Sequence, residues 1–116
     1  MNAREIAQLV VNALESKKAQ DITVLDLQGL TVIAEYFVIA TGSSPLNIRA
    51  LVDAVLDDAK KAGTRTQRVE GLNESSWVLI DLGDVVVHVF DAEHRDFYQL
   101  ERLWADAPRV SMLQQG

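Results

Sequence analysis

The sequence predicts a single α/β domain in which helices flank a five-stranded sheet, in the order α-β-β-α-β-β-β-α. Three observations lead to this prediction: two amphipathic stretches have a helical period, several short runs are rich in β-branched residues, and a further helical pattern follows the last strand. A length of 116 residues fits one hydrophobic core, and no repeat, low-complexity tract or long linker divides the chain.

The composition limits the class of protein and the kinds of site. With 48% apolar and 24% charged residues, the chain resembles ordinary globular proteins rather than disordered ones. It has no Cys, and it opens with neither a signal peptide nor an apolar run of transmembrane length, so we expect a reducing compartment such as the cytoplasm. The formal charge of −6 disfavours a broad surface for nucleic-acid phosphates, so within a nucleoprotein the expected partner is a basic protein.

The first helix is predicted to begin with a capping box made by Asn2 and Glu5. Its apolar stripe has helical spacing and consists of Ile6, Leu9, Val10, Ala13 and Leu14. The runs Asp21–Leu27 and Tyr36–Thr41 are β-branched or aromatic, and a short segment containing Gly29 separates them. We therefore predict two neighbouring antiparallel strands.

The segment "TGSSP" predicts the start of a second helix, because Ser44 can accept from first-turn amides and Pro45 suits the first helical position. Gly63, after Lys60 and Lys61, marks its end. Its stripe should cover one face of the sheet: Ile48, Leu51, Val52, Val55, Leu56, Ala59 and Ala62. A short extended piece at Thr66–Val69 supplies the third strand.

The stretch "WVLIDLGDVVVHVFD" predicts a tight hairpin with Gly83 and Asp84 as its loop residues. Counting outward from this loop pairs Leu82 with Val85, Ile80 with Val87, and Val78 with Val89, which gives one wholly apolar face. The reverse face pairs Trp77 with Phe90, Leu79 with His88, and Asp81 with Val86. Burial under a helix explains most of this face, but it explains Trp77 and Asp81 poorly, because an isolated buried carboxylate is costly.

A last helix is predicted from about Ala92 to Trp104, with Asp91 as its cap. Phe97, Leu100 and Trp104 fall on one face of this helix and are expected in the core. Tyr98 lies about 100° round from Phe97, beside Arg95 and Arg102, and is expected to be exposed. Trp77 and Tyr98 are then candidate aromatic anchors for a binding partner.

Several motifs along the chain together resemble one known family. They are "QDITVLDLQGL", "YFVIATGSS", "VEG", "WVLIDLGDVVVHVF" and the spaced pattern "R..Y.LE.LW" that runs from Arg95 to Trp104. This combination resembles the RsfS/YbeB/Iojap family of ribosomal silencing factors over about residues 5–104. We expect the silencing factor domain at residues 1–105, and a flexible C-terminal tail at residues 106–116, which fall outside the pattern.

The resemblance implies a mixed sheet related to the nucleotidyltransferase fold and a role without enzymatic activity or a cofactor. It implies binding to the large ribosomal subunit through its protein numbered fourteen, so that the small subunit cannot join and translation falls under nutrient limitation. A minor contact with ribosomal RNA stays open, and the free protein is expected to be a homodimer. The docking residues inferred from the matched motif are Trp77, Asp81, Leu82, Gly83, Asp84, Arg95 and Tyr98.

The alternatives are a nucleotidyltransferase-like enzyme acting on nucleotides or RNA, a metal site and a serine hydrolase. The segment "TGSS" is faintly similar to a nucleotide-binding Gly-Ser element, but no suitably spaced acidic pair follows it. His88, Asp91 and His94 have side chains that can bind metals, yet a packed His and a surface His are the more favoured interpretation. No Gly-x-Ser-x-Gly elbow is present.

Overall fold

The computed structural model describes residues 1–112 and confirms the predicted order of elements up to the last strand. In chain order the elements are α1 (Ala3–Ser16), β1 (Gln20–Asp26), β2 (Tyr36–Gly42), α2 (Pro45–Lys61), β3 (Arg68–Glu70), β4 (Trp77–Asp81), β5 (Val85–Asp91), α3 (Ala92–Tyr98) and α4 (Leu100–Leu103). Each predicted helix start is capped as expected: Asn2 and Glu5 form the capping box, and the Ser44 and Asp91 side chains accept from backbone amides.

The five strands form one mixed sheet in the order β1-β2-β5-β4-β3. β2 runs parallel to β5, and the other neighbouring pairs are antiparallel. Because α2 lies in the long connection between β2 and the β3–β5 meander, the chain can return to β2 in the parallel direction. β1 and β3 are consequently the two outer strands.

One face of the sheet forms the main hydrophobic core beneath α1 and α2. The predicted hairpin register is correct: Val78 pairs with Val89 and Ile80 with Val87, and the Leu82 amide donates to the Val85 carbonyl over 2.9 Å. The buried stripe of α2 is Ile48, Leu51, Val52, Val55 and Ala59. Leu56 is half-buried and packs against this core, whereas Ala62, the C-cap residue, is exposed, so the expected stripe runs one residue too far.

The predicted last helix is wrong in one respect, because it is broken at Gln99. This residue has φ 51° and ψ 48°, a left-handed conformation that ends α3 before α4 begins. The break redirects the chain, so Phe97 does not share a face with Leu100 and is 76% exposed, against the expectation that it lies in the core. Leu100 is buried, and Trp104 packs edge-on against Phe37 with ring centroids 5.8 Å apart.

The segment after α4 lies along the outer edge of β1 as far as the structure describes it. Ala107 is buried, the Asp26 amide donates to Pro108, and the Val110 amide donates to Val24. Of the tail expected at residues 106–116, this part is hydrogen-bonded to the sheet, and residues 113–116 lie outside the described residues. Across residues 1–112 no helix is both long and apolar enough to span a bilayer.

Candidate docking surface

The second face of the sheet is only partly covered. A smaller buried cluster on this face lies beneath α3, α4 and the segment that follows them: Leu25, Leu27, Ala34, Phe37, Ile39, Val86, Phe90, Leu100 and Ala107. On β4 the same face presents Trp77, Leu79 and Asp81, each of them half-buried. The β4 side of this face is therefore the open part, and we call Trp77, Leu79, Asp81 and Tyr98 the β4 patch.

Trp77 joins the buried cluster to the surface. Its indole stacks on Phe90 with centroids 5.0 Å apart and contacts the Tyr98 ring at 4.7 Å. The indole Nε1 also donates to His88 Nδ1 over 3.0 Å. Tyr98 is 44% exposed at the end of α3, so the two aromatic anchors expected from the sequence are adjacent and neither is fully buried.

His88 is the polar group that supports this indole from within the sheet. Its side chain is 3% exposed and contacts the Phe37 ring edge-on at 4.6 Å. Burial lowers the pKa of His88 from 6.5 to about 4, so the imidazole is neutral near pH 7. Because indole can only donate, Nδ1 must accept, and the proton of the neutral ring then lies on Nε2.

The acidic end of the patch lies at the β4–β5 turn. Asp81 Oδ1 accepts from the Gly83 amide over 2.8 Å, and Asp81 Oδ2 lies 3.4 Å from Arg68 Nε. Gly83 has φ 89°, which the tight turn requires and which favours glycine. The Asp84 residue is exposed to solvent, and its backbone carbonyl accepts hydrogen bonds from the Glu35 and Tyr36 amides. The turn is consequently fixed, with at least one carboxylate free to meet a partner.

Two of the residues inferred from the family motif lie elsewhere. Leu82 is buried in the main core on the opposite face of the sheet. The Arg95 guanidinium is largely buried, pairs with Glu101 at 2.9 Å, and donates to the Thr41 and Thr23 hydroxyls. These contacts connect α3 to α4, β1 and β2, so the structure brings Trp77, Asp81 and Tyr98 onto one face and gives Leu82 and Arg95 packing contacts.

The docking residues inferred from the sequence omitted Leu79, and Phe97 was not expected at the surface. Leu79 lies between Trp77 and Asp81 on the face that the predicted hairpin pairing gave it, but it was not counted among the docking residues. Phe97 is exposed, and its ring is edge-on to Tyr98 at 5.1 Å. No sequence pattern indicated this position, because it depends on the left-handed residue that follows α3.

Comparison with known proteins gives consistent matches over nearly the whole chain. The family described as "Ribosomal silencing factor during starvation" matches residues 1–115. A curated relative from Bacillus subtilis, named ribosomal silencing factor RsfS, is 43% identical over 97% of this chain and 95% of its own length. The chain belongs to the ribosomal silencing factor family.

Solved structures of similar proteins agree with this assignment. A crystal structure from Bacillus halodurans has a TM-score of 0.84 and 40% identity, and it covers 93% of this chain and 98% of its own. An X-ray structure of a Chromobacterium violaceum protein has a TM-score of 0.89 and 39% identity, covering 97% of this chain and 92% of its own. Membership of the ribosomal silencing factor family supports a ribosome-associated role in silencing translation, and the family name points to a regulatory factor rather than an enzyme.

In this ribosomal silencing factor the groups considered for catalysis or metal binding have local structural partners. Ser44 Oγ caps α2 by accepting from the Asn47 amide over 3.0 Å. His94 Nδ1 lies 2.8 Å from Asp91 Oδ1, whereas His88 is bonded to the indole of the β4 patch. Within residues 1–112, no three His, Asp or Glu side chains converge in a metal-binding group.

Proposed function

We propose that this ribosomal silencing factor binds the large ribosomal subunit through its protein numbered fourteen, blocks joining of the small subunit and so represses translation when nutrients are limited. The observation that carries the proposal is the β4 patch, where Trp77 and Tyr98 rings 4.7 Å apart share an open sheet face with Asp81. A cytoplasmic location and a homodimeric free state belong to the same proposal.

The chemistry of the patch suits a basic protein surface. Large aromatic side chains that are partly buried before binding lose little conformational entropy on docking, which is why such residues dominate binding energies. Asp81 and Asp84 place negative charge at the β4–β5 turn, in a chain whose total formal charge is −6. Opposite charges across an interface speed encounter and fix its register.

The proposed inhibition is steric and needs no chemical step. A bound factor and the small subunit cannot occupy the same volume, so the degree of inhibition follows the fraction of large subunits that carry the factor. Inhibition of this kind saturates with concentration and does not require a nucleotide. A nucleotidyltransferase would instead consume its substrate in the absence of ribosomes.

Replacing Tyr98 tests the patch more cleanly than replacing Trp77. Trp77→Ala would remove the stack on Phe90 and leave His88 Nδ1 without its donor, so it should also lower stability. Tyr98→Ala removes a half-exposed ring and should weaken cosedimentation with purified large subunits by about thirtyfold, corresponding to about 2 kcal/mol, with little change in the thermal melt.

The matched control is Leu46→Ala, which truncates an exposed side chain at the start of α2, on the other face of the sheet. It should cosediment like the wild type. Light scattering of mixed subunits then measures joining, which saturating wild-type protein should slow and Tyr98→Ala at the same concentration should slow less. Normal joining at saturation with wild-type protein would rule out the steric mechanism.

A further inference from the structure

The loop between β1 and β2 presents apolar side chains to solvent. Val32 is 103% exposed, Ile33 is 66% exposed, and Leu30 is also exposed. Isolated exposed apolar residues are ordinary, but neighbouring ones on the same short segment form a patch of the kind that marks an interaction site. We call Leu30, Val32 and Ile33 the loop patch.

This loop is ordered by its own contacts. Its two ends are anchored by Leu27 and Ala34, which are both buried in the cluster on the second sheet face. Between these anchors the Leu30 amide donates to the Leu27 carbonyl over 3.0 Å, and the Ile33 amide donates to Thr31 Oγ1 over 3.2 Å. The backbone that carries the exposed side chains is therefore fixed before any partner arrives, which lowers the entropic cost of binding.

The loop patch is joined directly to the turn already placed in the docking surface. The Glu35 amide donates to the Asp84 carbonyl over 2.7 Å, so the β1–β2 loop and the β4–β5 turn lie side by side at one end of the sheet. All charged side chains in segments 27–35 and 82–84 are acidic, namely Glu35 and Asp84, and both are exposed. These two segments therefore combine an apolar patch with two exposed carboxylates.

We propose that the loop patch is a second docking element, in which Val32 and Ile33 enter an apolar hollow on a basic protein of the large subunit while Glu35 and Asp84 meet its cations. The inference rests on the proposed function and adds the loop patch to the surface that contacts the large subunit. Specific interfaces use roughly 20–30 residues on each side. The β4 patch alone is too small for that, and the loop patch continues it past the β4–β5 turn.

The test is the double variant Val32→Ser and Ile33→Ser, compared with Leu46→Ser as the matched control. All three side chains are exposed, so the thermal melts should stay close to the wild type. The loop precedes the amino end of β2, whereas Leu46 comes just after its carboxyl end. Replacing Leu46 therefore leaves the end of the sheet that carries the loop patch unchanged. We expect the double variant to cosediment with purified large subunits at least about tenfold more weakly, and Leu46→Ser to bind like the wild type.

The outcomes separate the two proposals. If wild-type protein fails to bind large subunits, the proposed function itself fails. If wild-type protein binds, Tyr98→Ala binds weakly and the double variant binds normally, the loop patch is overturned while the proposed function stands. If the double variant instead loses self-association in light scattering, or binding to anionic vesicles, and keeps normal subunit binding, the occupant is a second copy or a membrane and the inference is also overturned.

Discussion

At the scale of single residues, the bond between Trp77 and His88 decides how the surface indole is oriented. The two side chains are diagonal neighbours on adjacent strands, since Trp77 pairs with Phe90 and His88 pairs with Leu79. The pairing of each residue could be predicted by counting from the hairpin turn. The indole–imidazole bond could not, because it depends on side-chain rotamers rather than on register.

We expect the stability of the protein to fall as pH decreases from about 6.5 to about 4, because of His88. Its pKa in the folded protein is lowered to about 4 by burial, so in this range the unfolded chain binds a proton that the folded chain does not. Above pH 6.5 the titration of His88 does not affect the free energy of unfolding. Below pH 6.5 it lowers that free energy progressively, by on the order of 3 kcal/mol near pH 4. Urea unfolding between pH 7 and about 5, before most carboxylates titrate, measures the slope.

The variant that tests this prediction replaces the buried imidazole itself. His88→Asn should reduce the slope, because the Asn amide can accept from the Trp77 indole without titrating. An unchanged slope in His88→Asn would show that carboxylates cause the pH dependence.

At the scale of elements, Gly71 fixes how the β3–β4 connection approaches the β4 patch. It has φ 83°, and a Cβ added there would lie 2.1 Å from the Trp77 carbonyl oxygen. Gly71→Ala should therefore destabilise the fold more than Gly29→Ala or Gly63→Ala, which have similar positive φ but nothing within 4 Å of the added Cβ. The conformational cost is about 1–2 kcal/mol in all three.

We expect Gly71→Ala to lose about 2 kcal/mol or more beyond the two control variants, because backbone atoms next to Trp77 must shift to make room. Urea unfolding midpoints of the three variants measure this difference. Equal losses would show that the close approach is relieved without cost and that Gly71 does not constrain the patch.

Elements with strong local signals were predictable, and elements set by tertiary contacts were not. The capping residues and apolar stripes of α1 and α2 fixed their positions, and the Gly83 turn fixed the register of β4 with β5. The break at Gln99 carries no such signal, because Gln rarely adopts positive φ and no glycine or proline marks the site. Phe97 was wrongly expected in the core for this reason, because its surroundings depend on where the chain turns into α4.

At the scale of the whole molecule, the sheet separates stability from docking. One face packs beneath α1 and α2, and the other is covered only in part, which leaves the β4 patch open. The loop patch lies at one end of the sheet and is exposed. The order of the strands could not be obtained from local pattern, because the parallel pairing of β2 with β5 joins segments distant in sequence. The identity of the outer strands was open for the same reason.

The outer strands suggest how a homodimer could form. The outer edge of β1 is hydrogen-bonded to Pro108 and Val110, whereas no strand in the described part of the chain pairs outside β3. We propose that two copies pair antiparallel along β3 with Val69 at the two-fold axis, so that Arg68 of each copy faces Glu70 of the other. β3 is only three residues long and carries exposed charges, features that limit edge pairing, so the association should be weak.

Light scattering over a concentration series should therefore show the mass rising from one chain towards two in the micromolar range and above. Arg68→Glu should shift this rise to higher concentration by placing like charges opposite each other, and adding Glu70→Arg should restore it. Arg65→Glu changes an exposed residue of the preceding loop by the same charge and is the matched control. A constant monomer mass would contradict the dimer, and a dimer indifferent to Arg68→Glu would place its contact away from β3.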